Sequence, residues 1–244
     1  MHYWDNFNFA NQNAATLEPA FVNYLQLLWN IDSSTAGKSI STLLNRVEKS
    51  DSIAFGAIVS LFEKYLYNPN SPARNEELYI PVLKYLCASK SVDIATKTRA
   101  TFRLNMALKN RVGELATDFE YTLRNGKKDK LSNIKADYLL IFFNNPDCHD
   151  CQRVKNILSS TNLRKVKILA VYPDNDLSIW EKTVYPDTWI NAYNNTTLKN
   201  LYDLKAIPTL YLLDKDKRVI LKDADVEAII RKITTQLYQN NDTN

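Results

Sequence analysis

Glycine is scarce. The 244 residues hold only Gly37, Gly56, Gly113 and Gly126, and no two of them lie close together. A phosphate loop or a dinucleotide fingerprint needs clustered glycines so that backbone can approach phosphate, so both are excluded. Histidine is scarcer, with His2 and His149 alone. A His-rich metal site is therefore excluded, and a serine triad would have to use one of those two. Charge is not concentrated either: the formal net charge of +4 is spread almost evenly between residues 1–110 and the remainder, so neither half is a basic platform for nucleic acid. The longest unbroken apolar run, Tyr138 to Phe143, is much too short to span a bilayer. The first thirty residues carry no lysine or arginine, so no secretory n-region is read there. The expectation is a cytoplasmic protein or a mature form cut from a longer precursor. With 45% apolar and 24% charged residues, the composition is that of a soluble globular protein with room for two ordinary domains.

Three cysteines remain, Cys87, Cys148 and Cys151, and the last two form a Cys-x-x-Cys pair that encloses His149. Residues 148–151 are thus where chemistry is expected. Cys87 lies in the apolar run from Val82 and reads as a buried, inert thiol. Zinc needs four ligands, and only Cys87, His149 and carboxylates could join the pair, so no metal site is expected. The aromatic start, with Tyr3, Trp4, Phe7 and Phe9, reads as a packed terminal arm.

Residues 1–110 read as an all-α domain of about five helices. Leu17, Phe21, Tyr24, Leu25 and Leu28 repeat at helical spacing, as do Ile40, Leu43, Leu44 and Val47, and then Ile58, Leu61, Phe62, Tyr65 and Leu66. Ser50 or Asp51 can cap that third helix, and Asn68 to Pro72 is a breaker loop. A fourth helix is expected over Glu76 to Ser89, with Pro81 in its first turn or kinking it, and a fifth over Asp93 to Lys109.

From residue 111 the pattern changes to α/β. Phe119, Tyr121 and Leu123 alternate with polar residues, and Asn125-Gly126 is a hairpin signal. Tyr138 to Phe143 is apolar on both faces, as a strand covered on both sides must be. Asn144 to Asp147 breaks it. A helix then starts close to Cys148, with Cys151, Val154, Ile157 and Leu158 on one face, and Val166 to Val171 is a further strand, completing a parallel βαβ unit. Pro208 to Leu213 and Arg218 to Leu221 are strands around the turn Asp214 to Lys217. A closing helix covers Ala224 to Tyr238, with Val226, Ile229, Ile230, Ile233 and Leu237 inward.

The pair follows the C-terminal end of a buried strand, where reactive groups collect in open α/β sheets, and it opens a helix. Unpaired backbone N–H groups and the positive end of the helix dipole stabilise a thiolate at Cys148. Cys151, three residues on, shares that side of the helix and is within disulfide reach. Cys148 then reads as the attacking thiolate and Cys151 as the shielded resolving thiol. Protonated His149 favours the thiolate, whereas Asp150 and Asp147 oppose it, so a poise toward the reducing end is expected; about 30 mV corresponds to about 1.4 kcal/mol for this couple.

Phe142-Phe143, the Cys148-His149-Asp150-Cys151 run and Ile207-Pro208-Thr209 ahead of a late strand resemble the thioredoxin fold. Val112 to Phe119 with the Asn125-Gly126 hairpin is similar to the TlpA/ResA-like branch of thiol-disulfide oxidoreductases. The helical first domain resembles an uncharacterised domain found ahead of such modules in cell-envelope proteins of Bacteroidetes. The resemblance implies an α/β thioredoxin-like domain, a mixed central sheet flanked by helices, over residues 111–244, preceded by the helical domain over 1–110. It implies that Cys148 is the nucleophile, Cys151 the resolving cysteine and Pro208 a cis-proline beside them; His149 is a catalytic candidate from its place inside the pair alone, and a plain surface histidine is an equal reading of it. It implies that the Ile207 backbone pairs with an extended substrate chain; Pro146 and Asp147, just ahead of the pair, are further candidate substrate-binding residues. No cofactor and no metal are expected. The implied partners are protein thiols and disulfides and a thiol electron-donor protein, with no nucleic acid and no transmembrane segment. The implied location is the periplasm or cell envelope, with a lipid anchor on the precursor.

Three departures stand out. Family members carry a buried acid six residues before the first cysteine, and here that position is Phe142. Asp147 replaces the usual aromatic before the first cysteine. Gln152 to Lys155 follow the pair in place of the glutamate found in many reductases of this branch. A redox-inert binding module whose helical domain recruits a protein partner therefore stays open as an alternative. Peroxide reduction fits less well, because the Pro-x-x-x-Thr-x-x-Cys pattern is missing.

Overall fold

The computed structural model describes residues 3–239. The chain divides into two compact units, Met1–Leu108 and Lys109–Asn244.

The first unit is helical: α1 (Ala14–Leu28), α2 (Ser33–Ser50), α3 (Ser52–Phe62), α4 (Glu76–Ala88) and α5 (Ile94–Ala107). Each helix starts at a residue whose side chain takes up orphan backbone N–H groups: Asn13, Asp32, Asp51, Asn75 and Asp93. Asp51 does this for α3, accepting from the N–H groups of Ile53 and Ala54. The apolar stripes meet in one core built on Phe21, Tyr24, Leu44, Ile58, Phe62 and Leu83. Trp4 and Phe9 are buried in the same core, so the aromatic arm packs as its composition suggests.

Three local features differ from the expectation. The α3 pattern continues as a π-helical turn, Glu63–Tyr67, and Pro81 sits in the second turn of α4, with the helix running on through it. Gly37 on α2 leaves room for that ring, since a Cβ there would lie 3.3 Å from Pro81 Cγ. Cys87 is half-buried rather than buried, with its Sγ 3.5 Å from Thr101 Oγ1.

The second unit contains β1 (Glu120–Leu123), β2 (Lys128–Lys130), β3 (Tyr138–Phe143), α6 (His149–Ser160), β4 (Val166–Tyr172), α7 (Leu177–Lys182), β5 (Ile190–Tyr193), α8 (Leu198–Leu201), β6 (Thr209–Asp214), β7 (Val219–Lys222) and α9 (Val226–Gln239). The strands form one mixed sheet in the order β2-β1-β5-β4-β3-β6-β7. β3 pairs in parallel with β4 and antiparallel with β6, so it is central. Its alternation splits the unit into two cores. Leu139, Ile141 and Phe143 face Tyr202, Tyr211 and Phe119, whereas Leu140 and Phe142 face Cys151 and Val154 of α6 and Ile229 of α9. Burying each such side chain stabilises the fold by about 1.5–3 kcal/mol. The side chain of Leu237, expected inward on the closing helix, lies outside the described residues.

Candidate active site

The end of β3 and the start of α6 are joined by a turn organised around Asn145. Its Oδ1 accepts from the Asp147 N–H at 3.0 Å, its carbonyl accepts from the Cys148 N–H at 3.0 Å, and its Nδ2 donates to Asp174 Oδ2 at 2.9 Å. Its own N–H points at Cys151 Sγ, 3.4 Å away. One residue, through its side chain and its backbone, thus ties the strand end, the Cys-x-x-Cys pair and the loop after β4 together. In the sequence, Asn144 and Asn145 read only as strand breakers.

Cys148 occupies the N-cap of α6 and makes no side-chain capping bond, which leaves its sulfur for other partners. The first N–H groups of a helix have no intrahelical acceptor, so the turn around this thiol is rich in donors. Cys148 is half-buried and its Sγ stands 3.5 Å from the Ile207 carbonyl oxygen. The Ile207–Pro208 peptide bond is cis, and both residues are half-buried beside the pair. Cys151 is 2% exposed and lies in the α6 core. Both are free thiols. Burial pushes the Cys151 thiol well above the ordinary range; the Asn145 N–H opposes this, and Cys148 and Asp150 add to it.

The remaining predicted residues are more peripheral. The His149 side chain is 93% exposed, with Nδ1 3.9 Å from Asp150 Oδ1. Asp147 is exposed, and the Pro146 carbonyl accepts from Gln152 Nε2 at 2.8 Å. Phe142, at the position of the family acid, is fully buried, with its ring 6.3 Å from Trp189 in edge-to-face contact. Among the described residues no group of three or more His, Cys, Asp or Glu side chains could hold a metal ion.

Two polar residues outside the predicted site share a cavity with Cys151. A cavity of about 630 Å³ is lined by Cys151, Asn144, Tyr185, Lys155 and Lys182 together with Pro146 and Asp147. The Tyr185 hydroxyl donates to Asn144 Oδ1 at 2.5 Å, and both residues are buried. Lys155 donates to the Val184 carbonyl and lies 5.2 Å from the Tyr185 ring centre. Tyr185 sits in an irregular stretch thirty-four residues beyond Cys151, where no periodicity marks it.

The first unit has a cavity of its own, about 460 Å³, between α3, α4 and α5. Its charged groups are engaged with neighbours: Arg103 pairs with Glu63 at 2.8 Å and lies 4.3 Å from the Tyr67 ring centre, and Glu48 accepts from Tyr85 and Ser89.

Known proteins fit this picture. Residues 1–110 match a domain of unknown function, DUF5106, and residues 136–219 match the thioredoxin-like family. A thioredoxin-like protein from Bacteroides caccae aligns over 96% of this chain and 90% of its own, at 43% identity and a TM-score of 0.89. The C-terminal domain of an uncharacterised protein from Bacteroides fragilis covers 51% of this chain and 98% of its own, at 41% identity and a TM-score of 0.49. The thioredoxin domain of a thiol-disulfide oxidoreductase from Bacteroides vulgatus covers 50% and 98%, at 18% identity and a TM-score of 0.44. No curated protein matches. The chain belongs to the thioredoxin-like proteins, with a helical DUF5106 domain ahead of its thioredoxin-like domain. No described helix is long and apolar enough to cross a membrane.

Proposed function

We propose that the protein is a thiol-disulfide oxidoreductase acting on protein disulfides in the cell envelope, as a reductase or isomerase. The observation that carries this reading is the unequal pair of free thiols at the start of α6: Cys148 half-buried against the Ile207 carbonyl, Cys151 buried one helical turn on. The Cys148 thiolate attacks a substrate disulfide, one substrate sulfur leaves as thiolate, and a mixed disulfide forms. Cys151 then attacks Cys148 Sγ, releasing the second substrate thiol and closing the Cys148–Cys151 disulfide. A thiol protein returns the two electrons. In this reading the Ile207 backbone pairs with an extended substrate segment, Pro208 flanks the sulfurs, and Pro146 and Asp147 form the rim the substrate meets. The exposed His149 ring lies at the mouth beside Asp150. Export to the periplasm or envelope, with a lipid anchor on the precursor, follows from the TlpA/ResA-like resemblance.

The test is reduction of a protein disulfide such as insulin by the chain in dithiothreitol. The expected result is turnover that Cys148→Ser abolishes, while Cys151→Ser accumulates mixed disulfides. Retained turnover in the Cys148→Ser protein contradicts the reading. One observation favours a second reading, a binding module with residual cysteines: the apolar Phe142 leaves no carboxylate behind the buried Cys151. A Cys148–Cys151 disulfide that resists mild reductant would favour it.

A further inference from the structure

The polar groups behind Cys151 are arranged with one fixed polarity. Asn144 Nδ2 stands 3.0 Å from the Phe142 carbonyl oxygen. A carbonyl only accepts, so that end of the amide is its NH2 group, and the end facing Tyr185 is its oxygen. Asn144 Oδ1 only accepts as well, so the Tyr185 proton is committed to it across 2.5 Å. Tyr185 Oη is left with lone pairs alone for any other neighbour. Tyr185 lines the same cavity as Cys151, and the space of about 630 Å³ is ample for water.

We propose that Tyr185, held by Asn144, is a positioning residue that orients a cavity water toward Cys151 Sγ, so that the resolving thiol sheds its proton into this cavity, whose lining includes the rim residues Pro146 and Asp147. The proposal rests on the exchange chemistry above. A water that donates one hydrogen to Tyr185 Oη keeps a lone pair for the Cys151 proton, which passes on to bulk solvent. Water that replaces it in the same pose turns its second hydrogen to the new thiolate. The thiolate attacks Cys148 Sγ, the bond from Cys148 to the substrate sulfur breaks, and the substrate leaves as thiolate with the electron pair. Two protein thiols are oxidised and one disulfide is reduced. A neutral acceptor suits these surroundings, because an ionised carboxylate among apolar groups such as Phe142 and Trp189 would carry a large desolvation cost.

The charged and titratable groups around Cys151 are otherwise placed at the edges. Cys148, Asp147 and Asp150 lie at the turn and the start of α6, Lys155 further along α6, and Lys182 on α7. Tyr172 on β4 and Arg124 beyond β1 act on Tyr185. Asp147 and Asp150 are exposed, so neither offers a buried base. Burial holds the thiols and hydroxyls of both Cys151 and Tyr185 protonated through the neutral range, so Tyr185 acts as a hydroxyl and not as a base.

The test uses the full chain carrying Cys87→Ser, treated with 5,5′-dithiobis(2-nitrobenzoic acid). The first thionitrobenzoate release reports attack by Cys148, and the second reports displacement by Cys151. Adding Tyr185→Phe keeps the ring and removes only the hydroxyl. The expected result is an unchanged first phase, which also shows that the Cys148 turn is folded. The second phase slows about tenfold at pH 7, the scale of one lost hydrogen bond to a charged group, and its pH profile moves upward. Equal second phases with the same pH profile overturn the assignment of Tyr185. A parent protein that releases thionitrobenzoate only once overturns the exchange reading itself, and the proposal with it.

Discussion

The two cysteines lie one helical turn apart and meet different surroundings. At the mouth, Cys148 sits on the N-cap of α6, half-buried, with the Ile207 carbonyl and the rim residues Pro146 and Asp147 around it. At the rear, Cys151 is packed among Phe142, Val154 and Leu210, and its polar neighbours are the Asn145 N–H and the Asn144–Tyr185 pair. The difference is set by the register of two elements. β3 delivers Phe142 to the α6 face of the sheet, and the three-residue spacing on α6 turns Cys151 onto that same face. A pair identical in chemistry is thereby divided into an accessible thiol and a withheld one, which is the asymmetry that sequential exchange needs.

Removing the mouth thiol should have the largest effect. Cys148→Ser is expected to eliminate disulfide reduction in an insulin turbidity assay, because Cys151 alone is too buried to begin attack. Cys151→Ser should come next: initial attack persists, and mixed disulfides accumulate on non-reducing gels. If Cys151→Ser and Cys148→Ser behaved alike, the division of labour between mouth and rear would be wrong.

The rear can also be broken by packing. Phe142→Ala removes a fully buried ring from the sheet face behind Cys151 and should cost about 3–5 kcal/mol in guanidinium unfolding. A cost under about 1 kcal/mol would mean that the rear core is not packed as described. The pH dependence has a definite sign. Because burial raises the Cys151 thiol, its thiolate fraction climbs about tenfold per pH unit across the neutral range, and the resolving step should climb with it. The same shift makes the folded state retain a proton that the unfolded chain loses above about pH 8.5. Its contribution to stability is therefore full below that pH and falls as pH rises further. The smallest effect is expected at His149. With 93% of its side chain in solvent, His149→Gln should change turnover by less than about threefold. A larger loss would move the imidazole from the rim into the chemistry.

Much of the frame was legible in the sequence for identifiable reasons. The run Tyr138 to Phe143 is apolar on both faces because the central strand is covered on both faces, and Asn125-Gly126 marks the β1–β2 hairpin, with Gly126 at φ 79°. The position of the pair between a strand end and a helix start could be read in the same way. Short elements could not: β5 has four residues and α8 four, too few for any period to emerge. The first-turn placement of Pro81 does not hold, and the close approach of its ring to the bare Gly37 on another helix is a relation that no local window contains. Asn145 and Tyr185 were missed for opposite reasons. Asn145 sat in plain view but looked like punctuation, whereas Tyr185 reaches Asn144 from an irregular segment forty-one residues away.

The most direct test of the central claim is an equilibrium redox titration of the Cys148–Cys151 pair, read by thiol alkylation and intact mass in dithiothreitol and glutathione buffers. The account predicts a reversible two-thiol transition between roughly −180 and −270 mV, the range spanned by thioredoxin and protein disulfide isomerase. Thiols that stay inert across that range, or a disulfide that opens only under harsh reductant, would contradict it.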